Sequence, residues 1–266
     1  MSLGIYLFCL TPKNSLLKIE GMGIDVAYPL CLQTSADAVA LYSEVSLEDF
    51  CGLEARERLA DLAWVAPRAL RHEEVILSVM RQAPVLPVRF GSVFSSLEVL
   101  AASLERHRKV LSRFFSETAG QKEWTLKAYA DLPKARAQIL ATRLEAENEQ
   151  LEGLSPGLRY FQEQKLKVAA DREMKTWLKG LAEELTRSVM EVTSSFSDSR
   201  LLAPDLTGRG DEMFFHAALL VPDRSVERLQ RLTAEWNVKH EASGLSFEAS
   251  GPWPPYHFSP VLDTQG

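Results

Sequence analysis

The segment Gln121–Ala130, QKEWTLKAYA, decides the fold of the first half of the chain, because it ends a series of alternating elements. Its apolar side chains at Trp124, Leu126, Ala128 and Ala130 alternate with polar or charged neighbours, which is the pattern of a strand with one buried face. Strands, a helix, a short extended piece and a second helix precede it. This order predicts an α+β sandwich with helices on one face of a mostly antiparallel sheet, a modified ferredoxin-like fold. We expect this strand to complete an N-terminal α+β domain, residues 1–131.

The elements before this strand are marked by changes in the spacing of apolar residues. Three short β-type segments are expected at residues 3–10, 27–32 and 39–45. Residues 53–81 follow a helical pattern, which Pro67 is expected to kink or split. Residues 85–88 form a short extended piece, and a second helix begins after a cap at Ser95 or Ser96.

After residue 131 the composition changes to long, charged, helical sequence, so residues 132–266 are expected to form the second domain. Two long helices fill residues 132–195, with a break at Gly153–Gly157. They form either a projecting hairpin that resembles a coiled coil or a pair packed on its own sheet, and the short run of heptads leaves both open. Two strands, a helix and a last strand follow. This order predicts a small antiparallel sheet and a second ferredoxin-like unit with a helical insert.

The chain ends with GPWPPYHF, residues 251–258, which combines three prolines with three aromatic residues. Proline fixes its backbone and lacks an N–H donor, so this arm cannot be a helix interior or a central strand. The arm either docks its rings on its own domain or presents them to a partner. Docking is favoured, and part of Trp253 or Tyr256 remains available to an interface.

The overall composition is that of a globular protein and excludes several classes of partner. Of 266 residues, 46% are hydrophobic, and 30 basic against 36 acidic residues give a net charge of −6. A nucleic-acid partner is therefore not expected. No apolar run reaches the roughly 18 to 20 residues that span a membrane. The three cysteines lack CxxC spacing and are expected as buried thiols in a reducing cytoplasm.

No established catalytic motif occurs, and we expect no catalytic, cofactor-binding or metal site. His72 beside Glu73 could act as a base or ligand, but a structural hydrogen bond is the stronger interpretation. Arg89 has apolar neighbours, so we expect a buried, paired guanidinium that serves architecture or, less favoured, an anion site. Gly91 after Phe90 gives the turn its conformational freedom.

Three segments in order resemble the gas vesicle protein F/L family (GvpF/GvpL). They are residues 83–95, APVLPVRFGSVFS, after a helix with a His-Glu pair; residues 155–165, SPGLRYFQEQK; and residues 250–258, SGPWPPYHF. His257 stands where the family often has Ser, and Leu158 alters the helical entry. Whether the chain is of the F or the L type stays open. The motif residues carried over are His72, Glu73, Pro87, Arg89, Phe90, Gly91, Gly157, Tyr160, Gly251, Pro252, Trp253, Pro254, Pro255 and Tyr256.

The resemblance implies a cytoplasmic accessory protein of gas vesicles and not an enzyme. Such proteins bind the small hydrophobic shell protein, support nucleation and assembly of the vesicle, and act beside other accessory proteins. Two alternatives are kept. One is a ferredoxin-like enzyme that acts on a small anionic substrate through Arg89 and His72. The other is a structural component of the vesicle wall.

Overall fold

The computed structural model describes residues 2–35, 37–147 and 153–262. The chain divides into two units. The first comprises Met1–Glu123 and Pro252–Gly266, and the second comprises Trp124–Gly251. This division differs from the expected domains 1–131 and 132–266. The physical reason is that most of the strand Gln121–Ala130 pairs in the second sheet, while the C-terminal arm packs within the first unit.

The first unit contains a five-stranded sheet whose central strand is β1. Its strands lie in the order β2-β3-β1-β4, and β5 also pairs with β1. β1 is buried along most of its length, and its register with β3 shifts between Leu7 and Cys9. This irregularity directs Phe8 and Cys9 into the same core, while Leu7 and Leu10 enter the other. The strands are β1 Leu3–Pro12, β2 Cys31–Ser35, β3 Ala38–Ser46, β4 Leu86–Pro87 and β5 Val93–Phe94.

Helices cover both faces of this sheet, whereas one covered face was expected. The reason is that β1 carries large apolar side chains on both faces, so each face needs its own cover. The third helix packs on one face and the last two pack on the other. The helices are α1 Leu47–Phe50, α2 Leu53–Ala60, α3 Leu62–Met80, α4 Leu97–Arg106 and α5 Arg108–Thr118.

Two local details of these helices differ from the expected pattern. The long helical stretch is divided at Asp61, which caps α3 by accepting a hydrogen bond from the Ala63 N–H, and α3 continues through Pro67. The cap of α4 is Ser96, one of the two residues expected there.

The cysteine thiols are more exposed than expected. Cys9 is buried, but Cys31 is half-buried and Cys51 is exposed.

The second unit has a ferredoxin-like order of strands and helices. Its sheet has the order β7-β8-β6-β9, and long helices connect β6 to β7 and β8 to β9, as in a split β-α-β arrangement. QKEWTLKAYA was expected to complete the N-terminal domain, but it pairs in the sheet of the second unit. The elements are β6 Gln121–Ala130, α6 Leu132–Ala146, α7 Pro156–Met190, β7 Ser195–Asp198, α8 Pro204–Thr207, β8 Glu212–Pro222, α9 Val226–His240 and β9 Leu245–Trp253.

The 35-residue helix α7 behaves differently in its two halves. Its C-terminal half places Leu181, Leu185 and Val189 in the core of the second unit. Further toward its N-terminus it contacts α6, where Arg136 pairs with Asp171 at 2.6 Å. The alternative of helices packed on their own sheet thus describes the C-terminal half of α7.

Candidate functional site

The loop Val88–Ser92 between β4 and β5 carries most of the "PVRFG" motif, and its backbone is held from both ends. The Val88 N–H donates to the Phe8 carbonyl at 3.1 Å, and the Leu7 N–H donates to the Ser92 carbonyl at 2.9 Å. The Arg89 carbonyl accepts from the Ser92 N–H at 3.2 Å and from its hydroxyl at 2.7 Å. Gly91 has φ of +81°, which favours glycine.

A buried histidine, His72, holds this loop through hydrogen bonds from the interior. His72 Nε2 donates to the Val88 carbonyl at 3.0 Å, and Nδ1 accepts from the Tyr6 hydroxyl at 2.9 Å. The Tyr6 oxygen in turn accepts from the Gly91 N–H at 3.2 Å. A carbonyl can only accept, so the ring carries its hydrogen on Nε2.

Burial keeps this histidine neutral. Only 3% of His72 is exposed, and desolvation lowers its pKa to about 4, although the hydrogen bond to Val88 acts in the opposite direction. Desolvation also raises the pKa of Tyr6. Phe8 stacks on the imidazole, and Phe90 meets it edge to face. Both ring nitrogens are used in the interior, so His72 serves here as a structural residue.

Arg89 is exposed, which corrects the expectation of a buried, paired guanidinium. The reason is local, because the residues on its N-terminal side, Leu86 to Val88, are buried while the Arg89 side chain turns outward. Within the described residues the guanidinium makes no hydrogen bond or ion pair. Arg89 therefore has apolar neighbours in the sequence, but its side chain is exposed to solvent.

The C-terminal arm packs on the first unit through its prolines and Tyr256. Pro254 and Pro255 are buried, and Tyr256 packs against the core that contains Tyr6 and Phe8. The Tyr256 hydroxyl donates to Glu73 Oε2 at 2.9 Å. Burial and the neighbouring Glu73 carboxylate raise the pKa of Tyr256.

A second carboxylate, Glu123, holds the next residue of the arm. Only 3% of Glu123 is exposed, and it accepts the His257 N–H at 2.9 Å and a 2.6 Å bond from His257 Nδ1. Desolvation raises the pKa of Glu123, and the contacts with His257 oppose that rise. At the other end of the arm, Gly251 has φ of +148°, Pro252 is exposed, and 41% of Trp253 is exposed.

A cleft of about 400 Å³ is lined by β4, the loop that follows it, and the end of the arm with the four residues after it. The structure thus brings together the motif residues around His72, Arg89 and Tyr256 in the first unit. The cleft is lined by Leu86, Pro87, Val88, Arg89, Ser92, Tyr256, His257, Ser259, Pro260, Val261 and Leu262.

The remaining motif residues, Gly157 and Tyr160, belong to the first turns of α7 in the second unit. Next to them runs an exposed apolar stripe, which we define as Leu158, Phe161 and Val168. The spacing of three and seven residues places these side chains on one helix face. Lys165 lies on the same face, with its amine 5.0 Å from the centre of the Phe161 ring.

Two residues of the first unit's site were missed by sequence reasoning. Tyr6 was assigned only to a strand, although a hydroxyl in the apolar run LGIYLFCL needs a buried partner. No sequence pattern indicated that Glu123 is buried, because the alternation of its strand assigns Glu123 to the polar face. In the described ranges no cluster of His, Cys, Asp and Glu is arranged to hold a metal, and no helix there is long and apolar enough to cross a membrane.

Comparison with known proteins gives a consistent result over almost the whole chain. A family model described as "Gas vesicle synthesis protein GvpL/GvpF" matches residues 4–260. Gas vesicle protein L of Streptomyces sp. (strain CB03234) is 26% identical over 261 residues, which cover 97% of this chain and 93% of that protein.

Two crystal structures share the fold. GvpF from Anabaena sp. PCC7120 has a TM-score of 0.72 at 18% identity and covers 98% of this chain and 100% of its own. GvpF from Microcystis aeruginosa has a TM-score of 0.66 at 19% identity, with coverage of 97% and 99%.

Proposed function

Because the chain belongs to the gas vesicle synthesis protein GvpL/GvpF family, we propose that it binds the small hydrophobic shell protein and supports nucleation and assembly of the vesicle. Its role in gas vesicles is given by the family. The finer step, capture of the shell protein on an apolar surface, is our proposal. An aggregation-prone amphipathic partner would be held in soluble form and delivered to the growing wall.

The observation that carries this proposal is the exposed apolar stripe of α7. Leu158, Phe161 and Val168 lie on a helix face that the described residues leave open, with Lys165 among them. Such a face fits the apolar side of a partner helix, which docks through residues spaced three and four apart. Exposed aromatic and aliphatic side chains of this kind are typical of interaction surfaces.

The geometry does not favour the alternative of an enzyme that acts on a small anion. That mechanism requires Arg89 and His72 to converge in one pocket with a nucleophile or carboxylate. Arg89 lines the cleft, but His72 is not among the lining residues, and both its nitrogens are engaged by Tyr6 and Val88. We propose that the protein is not an enzyme and acts in the cytoplasm beside other accessory proteins.

The test is co-expression with the shell protein, measuring how much of it stays soluble and co-purifies. The double change Leu158→Ser and Phe161→Ser should reduce co-purification, because it removes apolar area from the stripe. A matched control is Leu62→Ser with Leu70→Ser, which removes two exposed leucines from α3. Aggregation of the shell protein regardless of this chain would overturn direct binding.

Isolated vesicles provide a further measurement. An amount of this chain comparable to that of the shell protein would favour a structural component of the wall over an accessory role. A trace amount or none is the result expected for an assembly factor.

A further inference from the structure

We propose that the cleft beside Arg89 binds a short extended segment of the partner, in which a carboxylate side chain is flanked by an aliphatic one. This inference rests on the proposed function, because it names the chemistry of a segment that a partner would present. It adds a second contact surface. This one belongs to the first unit, whereas the stripe belongs to α7 of the second unit. Its basis is a cation, unpaired among the described residues, in the lining of a cleft of about 400 Å³, which is within the size range of ligand sites.

The guanidinium of Arg89 is poised to bind a carboxylate. It has five N–H donors and no acceptor, and the described residues supply none of the acceptors it needs. The backbone that carries it is fixed by Phe8, His72 and Tyr6 through the hydrogen bonds of Val88 and Gly91. A cation on a fixed backbone loses little backbone freedom on binding, which favours affinity.

Two carboxylates of the first unit that bond the arm, Glu73 and Glu123, are already engaged. Glu73 accepts a hydrogen bond from the Tyr256 hydroxyl. Buried Glu123 accepts one from the His257 backbone N–H and one from His257 Nδ1. Neither forms an ion pair with Arg89. His257 also lines the cleft, and its Nδ1 is bonded to Glu123.

The remaining walls select an aliphatic neighbour and disfavour addition of a strand. Leu86 and Val88 form an apolar part of the lining, together with Val261 and Leu262, which follow the arm. Pro87 and Pro260 lack N–H donors, so these walls cannot supply a regular backbone ladder. Recognition in the cleft therefore relies on side chains, with a carboxylate at Arg89 and an aliphatic group against the apolar lining.

The experiment uses two blocked peptides that differ in one residue, acetyl-Ala-Leu-Glu-Leu-Ala-amide and its Gln counterpart. Binding to the full chain is measured by titration calorimetry at low salt and by the NMR signal of the arginine Nε–H. We expect the Glu peptide to bind about threefold to fivefold more tightly than the Gln peptide, since an ion pair with an exposed guanidinium contributes modestly to affinity. Arg89→Gln should remove that difference.

Arg81→Gln is the control, because Arg81 is exposed on the same unit but does not line the cleft. It should leave the preference for Glu unchanged. Equal binding of the two peptides, or a preference that survives Arg89→Gln, would overturn the inference. Inorganic phosphate that binds more tightly than the Glu peptide and displaces it would also overturn it, by making this a site for small anions.

Co-purification of the shell protein separates this failure from that of the proposed function. If wild type and Arg89→Gln capture the shell protein equally and neither prefers the Glu peptide, the proposed function stands and the cleft inference fails. If no shell protein is captured but the Glu preference depends on Arg89, the cleft binds an acidic segment of a different partner. The proposed function then fails, and the chemistry of the site is retained.

Discussion

Tyr256 and Glu73 are 183 residues apart in the sequence, and the Tyr256 hydroxyl donates a 2.9 Å hydrogen bond to the Glu73 carboxylate. Glu73 directly follows His72 on α3, and His72 holds the loop that carries Arg89. The arm and the loop are thus fixed to adjacent residues of a single helix. Two sequence motifs far apart in the chain thereby contribute to the same part of the first unit.

Tyr256→Phe should lower the free energy of unfolding of the first unit by about 1–2 kcal/mol, because a partly buried carboxylate loses a donor. Urea unfolding measures the change. Tyr160→Phe is the matched control, since the Tyr160 residue is 64% exposed on α7, and it should leave stability unchanged. Equal effects of the two substitutions would show that the hydroxyl of Tyr256 contributes nothing specific.

His72 should make the first unit less stable as the pH falls from about 6.5 to about 4. The folded ring has a pKa lowered to about 4, against 6.5 for the ordinary group, so in this window the unfolded chain binds more protons. Stability is fully present above the unfolded pKa, and the loss across the window is on the order of 3 kcal/mol. Urea unfolding at a series of pH values measures it.

His72→Gln should be less stable near neutral pH and should show a shallower decline in this window. Comparison with wild type isolates His72 from His240, whose pKa is also lowered by burial. His216→Gln in the second unit is a control that should retain the wild-type slope for the first unit. A slope unchanged in His72→Gln would contradict the assignment.

Glu123→Ala should release the arm near His257. The His257 N–H donates to Glu123, so its hydrogen exchange should accelerate by about tenfold or more when that acceptor is removed. Exchange measured by NMR or mass spectrometry on the arm tests this. Glu117→Ala is the control, because its ion pair with Arg113 is exposed and contributes little. Unchanged exchange in Glu123→Ala would show that the arm is held without this carboxylate.

The strand QKEWTLKAYA shows how far the sequence determines the fold. Its alternation correctly predicts a strand with one buried face, because burial of alternate side chains is a local property. The choice of sheet depends on partners distant in the chain, and the same apolar face can pack in either unit. The element type was therefore predictable, and its assignment to the first domain was wrong.

Arg89 and Glu123 show the same limit at the level of side chains. Arg89 was expected to be buried because its neighbours in sequence are apolar, yet it begins the turn that contains Gly91 and its side chain is exposed. Glu123 occupies a polar position of its strand but is covered by an arm more than a hundred residues later. The polarity of neighbours in sequence therefore predicts neither the exposure of Arg89, which follows from a local turn, nor the burial of Glu123, which a distant segment provides.

Gly91→Ala and Gly180→Ala should change stability in opposite directions, although each adds the same methyl group. Gly91 has φ of +81° and open space around an added Cβ, so its cost is that of the backbone alone, about 1–2 kcal/mol. Gly180 is an exposed residue inside α7, also with open space, where alanine should stabilise the helix by about 0.5–1 kcal/mol.

Urea unfolding of both variants measures the two effects, and the peptide titration adds a second readout. Because Gly91 holds the turn after Arg89, Gly91→Ala should also weaken binding of the Glu peptide, while Gly180→Ala should not. A stable Gly91→Ala protein with unchanged peptide affinity would show that the left-handed turn does not position Arg89. Loss of affinity in a folded protein would tie the backbone conformation at Gly91 to the cation that it presents.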